Sequence, residues 1–417
     1  MKIWFIFIGE PLPVEKNVRL HRYGLFTKFL AKKGHDITWW TSTFSHNVKK
    51  NFFDSDTELC LDSVSLKFIY SGSYKKNISI ARILHHKIFA KKFFKQALLT
   101  VSKNKMTNKP DLIICSNPTI DNVFYVRKLC KKLRVPFLID FRDFWPNDML
   151  DLFPRPLSLL GKVLLSRSFY QIRKGCQSAT GIMASSPKLL TYGLSFASRK
   201  KQKTDYVMLH GYPDVAIKKR IPKHSSYLST LGIDSKHFNI CFFGTIGKFF
   251  QLDTVIEAAK KLSNIKEIKF ILCGSGDKLS YFENLAKPLS NVLFPGWVNQ
   301  EDIQYLMSIS AVGLAPYINS NKFEYPNKLF EYLSAGLPII SSLKGEISEE
   351  LRVHKCGYNY DSHSEKSLRA TILTMFSNKE KTKKMGKNAQ HLFQKKYSHS
   401  LIFTDTEQYL KKLIKQP

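Results

Sequence analysis

Acidic residues are scarce in this sequence of 417 residues. Aspartate and glutamate number 33 against 65 lysines and arginines, so the formal net charge is +32. The excess is larger in residues 1–200 than in residues 201–417. Such a basic chain suits a nucleic acid, an anionic membrane surface or a phosphorylated substrate, and charge alone favours none of them. The sequence also lacks a cluster of acids suited to a metal ion, and we expect no metal.

Long apolar runs and paired cysteines are also missing. No stretch approaches the roughly 20 apolar residues that span a bilayer. The apolar start, Met1 to Ile8, runs into Gly9-Glu10-Pro11 without a small-residue cleavage site, which predicts a buried strand and not a signal peptide. Seven scattered cysteines, odd in number, predict neither a disulfide framework nor a zinc site. We therefore expect small buried thiols and a cytoplasmic protein, at most peripheral to a membrane.

Short apolar segments alternate with longer amphipathic ones along the chain. This pattern is typical of strands buried on both faces and covered by helices, and it occurs twice. It predicts two doubly wound α/β domains. The first half has predicted strands at 3–8, 36–40, 65–70, 112–115 and 137–139 and helices at 19–33 and 122–132; the second has strands at 239–243, 269–273, 292–295, 312–316 and 338–341 and helices at 252–262, 300–308 and 327–334.

The domain boundaries follow from composition. Residues 198–236 are polar, basic and broken by prolines, which favours a connection between domains. Residues 364–415 are mostly helical, with two predicted helices interrupted near Tyr397-Ser398. We predict an N-terminal domain at 1–200, a C-terminal domain at 205–395 and a final helix at 396–417 that packs back on the first domain. Because ligands of open α/β sheets bind at the carboxyl ends of strands, two facing sheets would hold a two-part substrate between them.

The strongest local motif runs from Tyr325 to Ile340. Pro326 suits the first turn of a helix, where free N–H groups and the positive dipole end attract a phosphate. Lys328 and Glu331 share one helical face, and Glu331 lies about 7.5 Å beyond Pro326 at 1.5 Å per residue. This spacing suits a helix start that holds a diphosphate while a carboxylate accepts ribose hydroxyls. A plain helix with a solvated Lys–Glu pair explains the motif equally well.

Two glycine turns follow predicted strands in the same half. Gly244 and Gly247, with Lys248 beside them, offer backbone N–H groups and a cation to an anion. Gly274 and Gly276 form the next such turn. Either turn could instead only shape the pocket, because glycine turns after strands are common.

Together these segments resemble a known family. Gly244-Thr-Ile-Gly247, Cys273-Gly-Ser-Gly276, Pro326-Asn-Lys328 with Glu331, and Ala335-Gly-Leu-Pro338 stand in the order found in the retaining glycosyltransferases of family 4, also called glycosyl transferases group 1. In the first half, Gly34-His-Asp-Ile-Thr38, Phe44-Ser-His46 and Asp140-Phe-Arg-Asp143 are similar to the subgroup that builds bacterial surface polysaccharides such as O-antigen and capsule.

The resemblance implies a fold and a reaction. The fold would be GT-B, in which two Rossmann-like, doubly wound domains face each other across a cleft. The N-terminal domain at 1–200 would bind the acceptor and the C-terminal domain at 205–395 the nucleotide sugar. The donor would be a nucleotide diphosphate sugar, with UDP favoured, and a hexosyl or N-acetylhexosaminyl group would pass with retention to a lipid-linked or saccharide acceptor, without metal or other cofactor. Two positions depart from the family pattern: Phe323 stands where the first of two glutamates is usual, with Glu324 one residue out of register, and Asn17-Val18 replaces a glycine pair.

Four residues are candidates for catalysis. Fixed cations should supply the largest stabilisation of a departing phosphate, which favours Lys248 and Lys328. Asp143 and His46 are the polar residues of the first half that merit testing on the acceptor side. Structural alternatives remain for both: Asp143 could pair with Arg142, and His46 could cap a loop.

Residues 82–99 form a predicted basic amphipathic helix. Its cations are Arg82, Lys87, Lys91, Lys92 and Lys95, interleaved with apolar residues. Such a helix rests on anionic lipid at about 1 kcal/mol for each basic residue near the surface. A second candidate is 156–170. If the helix binds lipid, the acceptor is a lipid-linked oligosaccharide at the inner face of the cytoplasmic membrane; an ordinary helix packed on the sheet is the alternative.

Other classes of protein stay open at this point. A nucleic-acid-binding protein would fit the charge, but the sequence has no helix-turn-helix, zinc or RNA-recognition signature, so we expect no nucleic-acid partner. A nucleotide-sugar epimerase of the same fold, or a sugar-binding relative without activity, would share the donor motifs.

Overall fold

The computed structural model describes residues 1–15, 18, 20–103, 108–213, 225–318 and 325–415. The chain forms two compact units, Met1–Leu209 with Phe403–Pro417 (unit 1) and His210–Ile402 (unit 2). Each unit contains its own β-sheet with helices around it. Among the described helices, none combines the length and the apolar character that crossing a bilayer demands.

Unit 1 contains an eight-stranded sheet in the order β10-β9-β8-β7-β1-β2-β6-β5. All neighbours are parallel except β5, which pairs antiparallel with β6 at the edge. The elements are β1 (Lys2–Ile6), α1 (Arg22–Lys32), β2 (Asp36–Ser42), β3 (Phe44–Ser45), β4 (Lys50–Asn51), β5 (Thr57–Leu61), β6 (Val64–Ile69), α2 (Ile80–Lys103), β7 (Leu112–Asn117), α3 (Ile120–Leu133), β8 (Phe137–Phe141), α4 (Asn147–Leu150), a 3-10 turn (Arg155–Leu157), α5 (Ser158–Ser178), β9 (Gly181–Ala184), α6 (Pro187–Ala197) and β10 (Tyr206–Val207).

Unit 2 contains a six-stranded sheet in the order β13-β12-β11-β14-β15-β16, parallel throughout. Its elements are α7 (Ser226–Thr230), β11 (Phe238–Phe243), α8 (Leu252–Lys261), β12 (Ile268–Cys273), α9 (Leu279–Ala286), β13 (Val292–Gly296), α10 (Gln300–Ile309), β14 (Val312–Ala315), α11 (Asn327–Ser334), β15 (Ile339–Ser341), α12 (Glu346–Val353), β16 (Gly357–Asn359), α13 (Glu365–Ser377), α14 (Lys379–Leu392) and a π-helical turn (Phe393–Tyr397). The last helix, α15 (His399–Lys415), belongs to unit 1 from Phe403 onward.

The strand order fixes where a ligand would bind. In unit 2 the chain reverses its direction of winding between β11 and β14, and in unit 1 it does so between β1 and β7. Helices that lead to and from strands on opposite sides of such a point leave a crevice at the carboxyl ends. The carboxyl ends of β11 and β14 are therefore the first place to look for a ligand site in unit 2.

Most predicted elements lie where the sequence pattern places them. The first strand ends at Ile6, two residues earlier than expected, and the first helix begins at Arg22; Arg19 is outside the described residues. The tail was predicted as two helices and contains three, with the π-helical turn at the expected interruption. The hairpin strand β5 was not predicted, because a short, half-exposed edge strand carries little hydrophobic pattern.

All seven cysteines are free, and six of them are buried. Burial raises the thiol pKa at each of these six positions, which are Cys115, Cys130, Cys176, Cys241, Cys273 and Cys356. The expectation of buried thiols is wrong for Cys60, which is exposed on the edge strand β5.

Candidate functional site

The structure brings two separate sequence motifs of unit 2 together at the carboxyl end of β11. Lys328 lies on α11 and Gly244 directly follows β11, and a Cβ atom added to Gly244 would be 2.8 Å from Lys328 Nζ. The sequence predicted both residues for the same anion site from their local motifs and the family resemblance. Their contact is between residues 84 positions apart in the chain.

Aromatic rings surround the Lys328 ammonium group. Its Nζ lies 4.2 Å from the ring centre of Phe242, 5.1 Å from that of Phe243 and 5.2 Å from that of Phe250. Only 7% of the residue is exposed. Burial lowers the pKa of Lys328 to about 8, and the negative charge of Glu331 partly opposes that shift. A cation held in so little water interacts strongly with an incoming anion.

The glycine turns after β11, β12 and β13 are joined edge to edge by backbone hydrogen bonds. Gly244 N donates to Cys273 O at 3.0 Å, and Gly274 N donates to Gly296 O at 2.7 Å. At Gly274, whose φ is +147°, a Cβ would approach Gly244 O to 1.8 Å; at Gly276 it would approach Ile246 O to 2.1 Å. The structure therefore requires glycine at both predicted positions so that the neighbouring turns can touch.

Helix α11 carries the other predicted donor-binding residues. Pro326 precedes the first helical residue, and no side chain among the described residues caps that end of the helix. Tyr332 anchors the helix from below, since its hydroxyl contacts Cys241 O of β11 at 3.1 Å and Leu314 O of β14 at 3.0 Å. Glu331 is 6% exposed, and its negative charge helps to raise the pKa of Tyr317. The helix start is thus held at the switch point of the sheet.

The other two residues predicted for donor binding differ in burial. Gly247 is buried, and a Cβ there would lie 2.8 Å from Asp277 Oδ1, so the two glycine turns also meet at this point. Lys248 is exposed, with its Nζ 5.5 Å from the ring centre of Phe249. It lies in the same turn but is solvated, unlike Lys328. Phe323 and Glu324 are outside the described residues.

The sequence analysis assigned no role to two groups at this edge of the sheet. Trp297 follows the left-handed Gly296 at the end of β13 and is 73% exposed. Tyr325 Oη donates to Glu346 Oε2 at 2.6 Å, which ties the residue before Pro326 to the start of α12. The position of Trp297 directly after a glycine at a strand end was a signal that could have found it. The pairing of Tyr325 and Glu346 depends on the fold.

In unit 1, His46 belongs to a cluster of polar and aromatic side chains. Its Nδ1 lies 2.6 Å from Tyr74 Oη and 3.3 Å from Lys49 Nζ. An ammonium group can only donate, so Nδ1 accepts and the ring proton is on Nε2. Burial and then the charges of Lys49 and Arg82 lower the pKa of His46 to about 4. The neutral ring offers an N–H group, which suits binding an acceptor oxygen better than removing a proton from it.

Asp143 and Arg142 occupy different surroundings. Arg142 Nη1 lies 2.6 Å from the buried Glu10 Oε1, so its ion pair is with Glu10. Burial raises the pKa of Asp143 although its side chain still reaches solvent, and the charge of Arg142 counteracts this. Arg82 also lowers the Asp143 pKa, as it lowers that of His46. Asn17 and Arg19, at the other departure from the family pattern, are outside the described residues.

The five predicted cations of α2 divide into two groups. Lys87, Lys91 and Lys95 are exposed. Lys92 Nζ contacts Asp56 Oδ1 at 2.9 Å and donates to Tyr70 O at 2.8 Å. Arg82 lies with its Cζ 5.2 Å from the ring centre of Trp145. Three of the five therefore face solvent, and two turn towards their own unit.

Comparison with known proteins gives one family match. Residues 227–392 match the family described as "Glycosyl transferases group 1", a stretch that lies within unit 2. No curated protein sequence matches the chain significantly.

Solved structures match the chain along nearly its whole length. A sucrose-phosphate synthase from Thermosynechococcus elongatus has a TM-score of 0.72 at 13% identity, with 99% of this chain and 98% of that chain covered. HepE from Anabaena, in complex with UDP, has a TM-score of 0.69 at 15% identity, with 99% of this chain and 100% of that chain covered. WaaG, a glycosyltransferase involved in lipopolysaccharide biosynthesis, has a TM-score of 0.64 at 17% identity, with 100% of both chains covered. At these identities the likeness shows the fold: an α/β GT-B fold with two Rossmann-like domains.

Proposed function

We propose that this protein is a glycosyltransferase that takes a sugar from a nucleotide diphosphate donor, with UDP as the favoured nucleotide. The single observation that carries the proposal is the buried Lys328 ammonium group beside Gly244 at the switch point of unit 2. A desolvated cation, a glycine turn and an uncapped helix start together suit a diphosphate. The match of residues 227–392 to the family and the UDP bound to HepE support this choice.

The same geometry suggests how transfer proceeds. The bond between the anomeric carbon and the distal phosphate oxygen breaks while the acceptor oxygen bonds to that carbon. The acceptor proton passes to the departing phosphate. Lys328 and the start of α11 stabilise the negative charge that develops there, which is the term that fixed cations supply best. The family resemblance supports retention of configuration, and the anomeric proton coupling of the product would test it.

Binding of UDP is the direct test of the donor site. We expect UDP to raise the melting temperature and to bind with measurable heat, because ligand binding to the folded state stabilises it. Glu331→Gln should weaken UDP binding by roughly tenfold, since a neutral amide accepts ribose hydroxyls less strongly than a carboxylate does. Glu283→Gln, on the exposed side of α9, is the matched control. Equal UDP affinity in the Glu331 variant and the wild type would refute the assigned role of Glu331.

Turnover distinguishes transfer from its rivals. A panel of labelled UDP sugars with a membrane extract should yield a labelled glycolipid or saccharide. Conversion of the donor into an epimer without any acceptor would indicate an epimerase instead. Binding without turnover of any donor would indicate a sugar-binding relative that has lost activity.

We further propose that the acceptor is lipid-linked and belongs to bacterial surface polysaccharide assembly, such as O-antigen, capsule or lipopolysaccharide, at the inner face of the cytoplasmic membrane. Helix α3 packs against both α2 and α5 in unit 1. Lys87 of α2 and Arg167 of α5 both lower the pKa of Asp121 at the start of α3, although burial raises it more. The two helices thus approach the same end of α3, and they expose the apolar residues Ile80, Leu84, Ile88, Leu159, Leu160, Val163 and Leu164.

Vesicle binding tests this membrane surface. Changing Lys87, Lys91 and Lys95 together to glutamine should weaken binding to anionic vesicles by about 3 kcal/mol, or roughly a hundredfold, at about 1 kcal/mol for each cation. Lys92 is left unchanged because it pairs with Asp56. The control removes the same charge from unit 2, at the exposed Lys260, Lys261 and Lys266. Equal loss in both triple variants would show only the effect of net charge and would contradict a surface on α2.

A further inference from the structure

A pair of cations lies near His46 in unit 1, with Asn77 between them. Lys49 Nζ donates to the Asn77 side-chain oxygen at 2.5 Å, and Arg82 Nη1 donates to the Asn77 backbone oxygen at 2.8 Å. The two charges come from separate segments, since Lys49 precedes β4 and Arg82 lies in the first turn of α2. Asn77 therefore holds two like charges close to one another.

Neither cation forms an ion pair within the described parts of the chain. Burial and the charge of Arg82 lower the pKa of Lys49. Asp143 is the acid whose pKa Arg82 affects, but among the described residues no ion pair joins Arg82 to it. Arg82 Nε is buried and has no hydrogen-bond partner within the described parts of the chain. A buried guanidinium N–H without a partner costs free energy unless a ligand accepts from it.

Aromatic side chains form the rest of the site. The Tyr74 ring lies near both cations, with its centre 4.9 Å from Lys49 Nζ and 5.9 Å from Arg82 Cζ. The centre of the Trp145 ring lies 5.2 Å from Arg82 Cζ. These rings hold both cations in place, and the N–H group of His46 adds a neutral donor. Donors from several directions suit a tetrahedral phosphate group, with Arg and Lys as its usual partners.

We propose that Lys49 and Arg82 form a subsite that binds a phosphate group of the acceptor. The subsite is built entirely from residues of unit 1 and shares none with the diphosphate site proposed at Lys328 in unit 2. Its assignment to the acceptor depends on the proposed transferase function, whereas anion binding itself does not. The phosphate could belong to a diphosphate lipid carrier or to a soluble sugar phosphate, which share this chemistry.

Pyrophosphate binding in the presence of saturating UDP tests the subsite, because UDP occupies the donor site. Titration calorimetry on the full chain should give one pyrophosphate site in the wild type. Lys49→Met and Arg82→Met should each weaken it by roughly tenfold to a hundredfold, the range for one charge-assisted hydrogen bond. The control is Lys50→Met, which removes an exposed neighbouring charge. Arg82→Lys keeps the charge but loses the paired N–H donors of the planar guanidinium group, so it should bind pyrophosphate with intermediate affinity.

The outcomes separate the two proposals. Pyrophosphate affinity that is equal in the wild type and in the folded Lys49→Met/Arg82→Met double variant would overturn the subsite while UDP binding still supports the donor site. If UDP itself does not bind, the proposed function fails, and the same variants titrated without UDP still decide whether the anion site exists. In turnover assays the variants should raise KM for a phosphorylated acceptor and leave KM for the donor unchanged. A short polyprenyl diphosphate and glucose 1-phosphate as competitors identify which source the subsite prefers.

Discussion

Lys328→Met is expected to lower sugar transfer by roughly a hundredfold or more, the range seen when one fixed donor to a developing negative charge is removed. Methionine keeps most of the length of the side chain and fits among Phe242, Phe243 and Phe250. The loss should appear mainly in kcat, because charge on the departing phosphate is greatest in the transition state. Steady-state kinetics with a UDP sugar would measure it.

The same variant should not lose stability. Burial makes the charged form of Lys328 unfavourable in the folded protein, as its lowered pKa indicates. Methionine removes that desolvation cost, so the free energy of unfolding should be unchanged or higher. Urea denaturation of both proteins checks this. A Lys328→Met variant that is inactive because it has unfolded would contradict this expectation.

The pH dependence of donor binding follows from the same lysine. Below about pH 8 the ammonium form of Lys328 already exists in the free protein. Above that pH the lysine is neutral, and it must take up a proton when a diphosphate binds. UDP-sugar affinity should therefore fall as pH rises above about 8, by up to tenfold per pH unit. Lys328→Met should lose this dependence. Lys248→Met, which changes a solvated cation of the same turn, should retain it and lose less activity.

Gly274→Ala is expected to lower UDP affinity by more than tenfold and to destabilise unit 2. The new Cβ would lie 1.8 Å from Gly244 O, and the φ of +147° disfavours any side chain. Overpacking of this kind costs about 1–3 kcal/mol. The turns after β11 and β12 must move apart to relieve it, which displaces Gly244 from Lys328. Calorimetric titration of UDP and a thermal melt would measure the two effects.

Gly232→Ala separates the steric effect from the backbone effect. Gly232 has a φ of +71° and no atom within 4 Å of an added Cβ. Its substitution should cost about 1–2 kcal/mol for the left-handed backbone and leave UDP affinity unchanged. If both variants lose UDP binding equally, the contact between neighbouring turns is not what shapes the donor site.

The sequence predicts the strands, turns and helix around the proposed donor site well, because local signals are strong there. Buried parallel strands such as β11 and β12 are continuous apolar runs, and a glycine after each one indicates a turn at the carboxyl end. Lys328 could be placed on a helix by its spacing from Glu331. The sheet topology then brings Lys328 to Gly244, as the resemblance implies.

Contacts between distant segments were beyond the reach of local patterns. The periodicity predicts that Arg82 and Lys92 lie on a basic helix, but it does not predict their partners. Lys92 pairs with Asp56. Arg82 contacts Asn77 and Trp145. Glu10, and not Asp143, pairs with Arg142 for the same reason. Such pairings depend on register and on loop paths, which periodicity does not encode.

The single exposed thiol makes the native chain a ready substrate for site-specific labelling. Cys60 reaches solvent on the edge strand β5, while burial and a raised pKa protect the other six cysteines from alkylation. One maleimide fluorophore should therefore attach to the folded protein without any engineered cysteine. Because β5 belongs to unit 1, that fluorophore could report on vesicle binding by energy transfer to a labelled lipid.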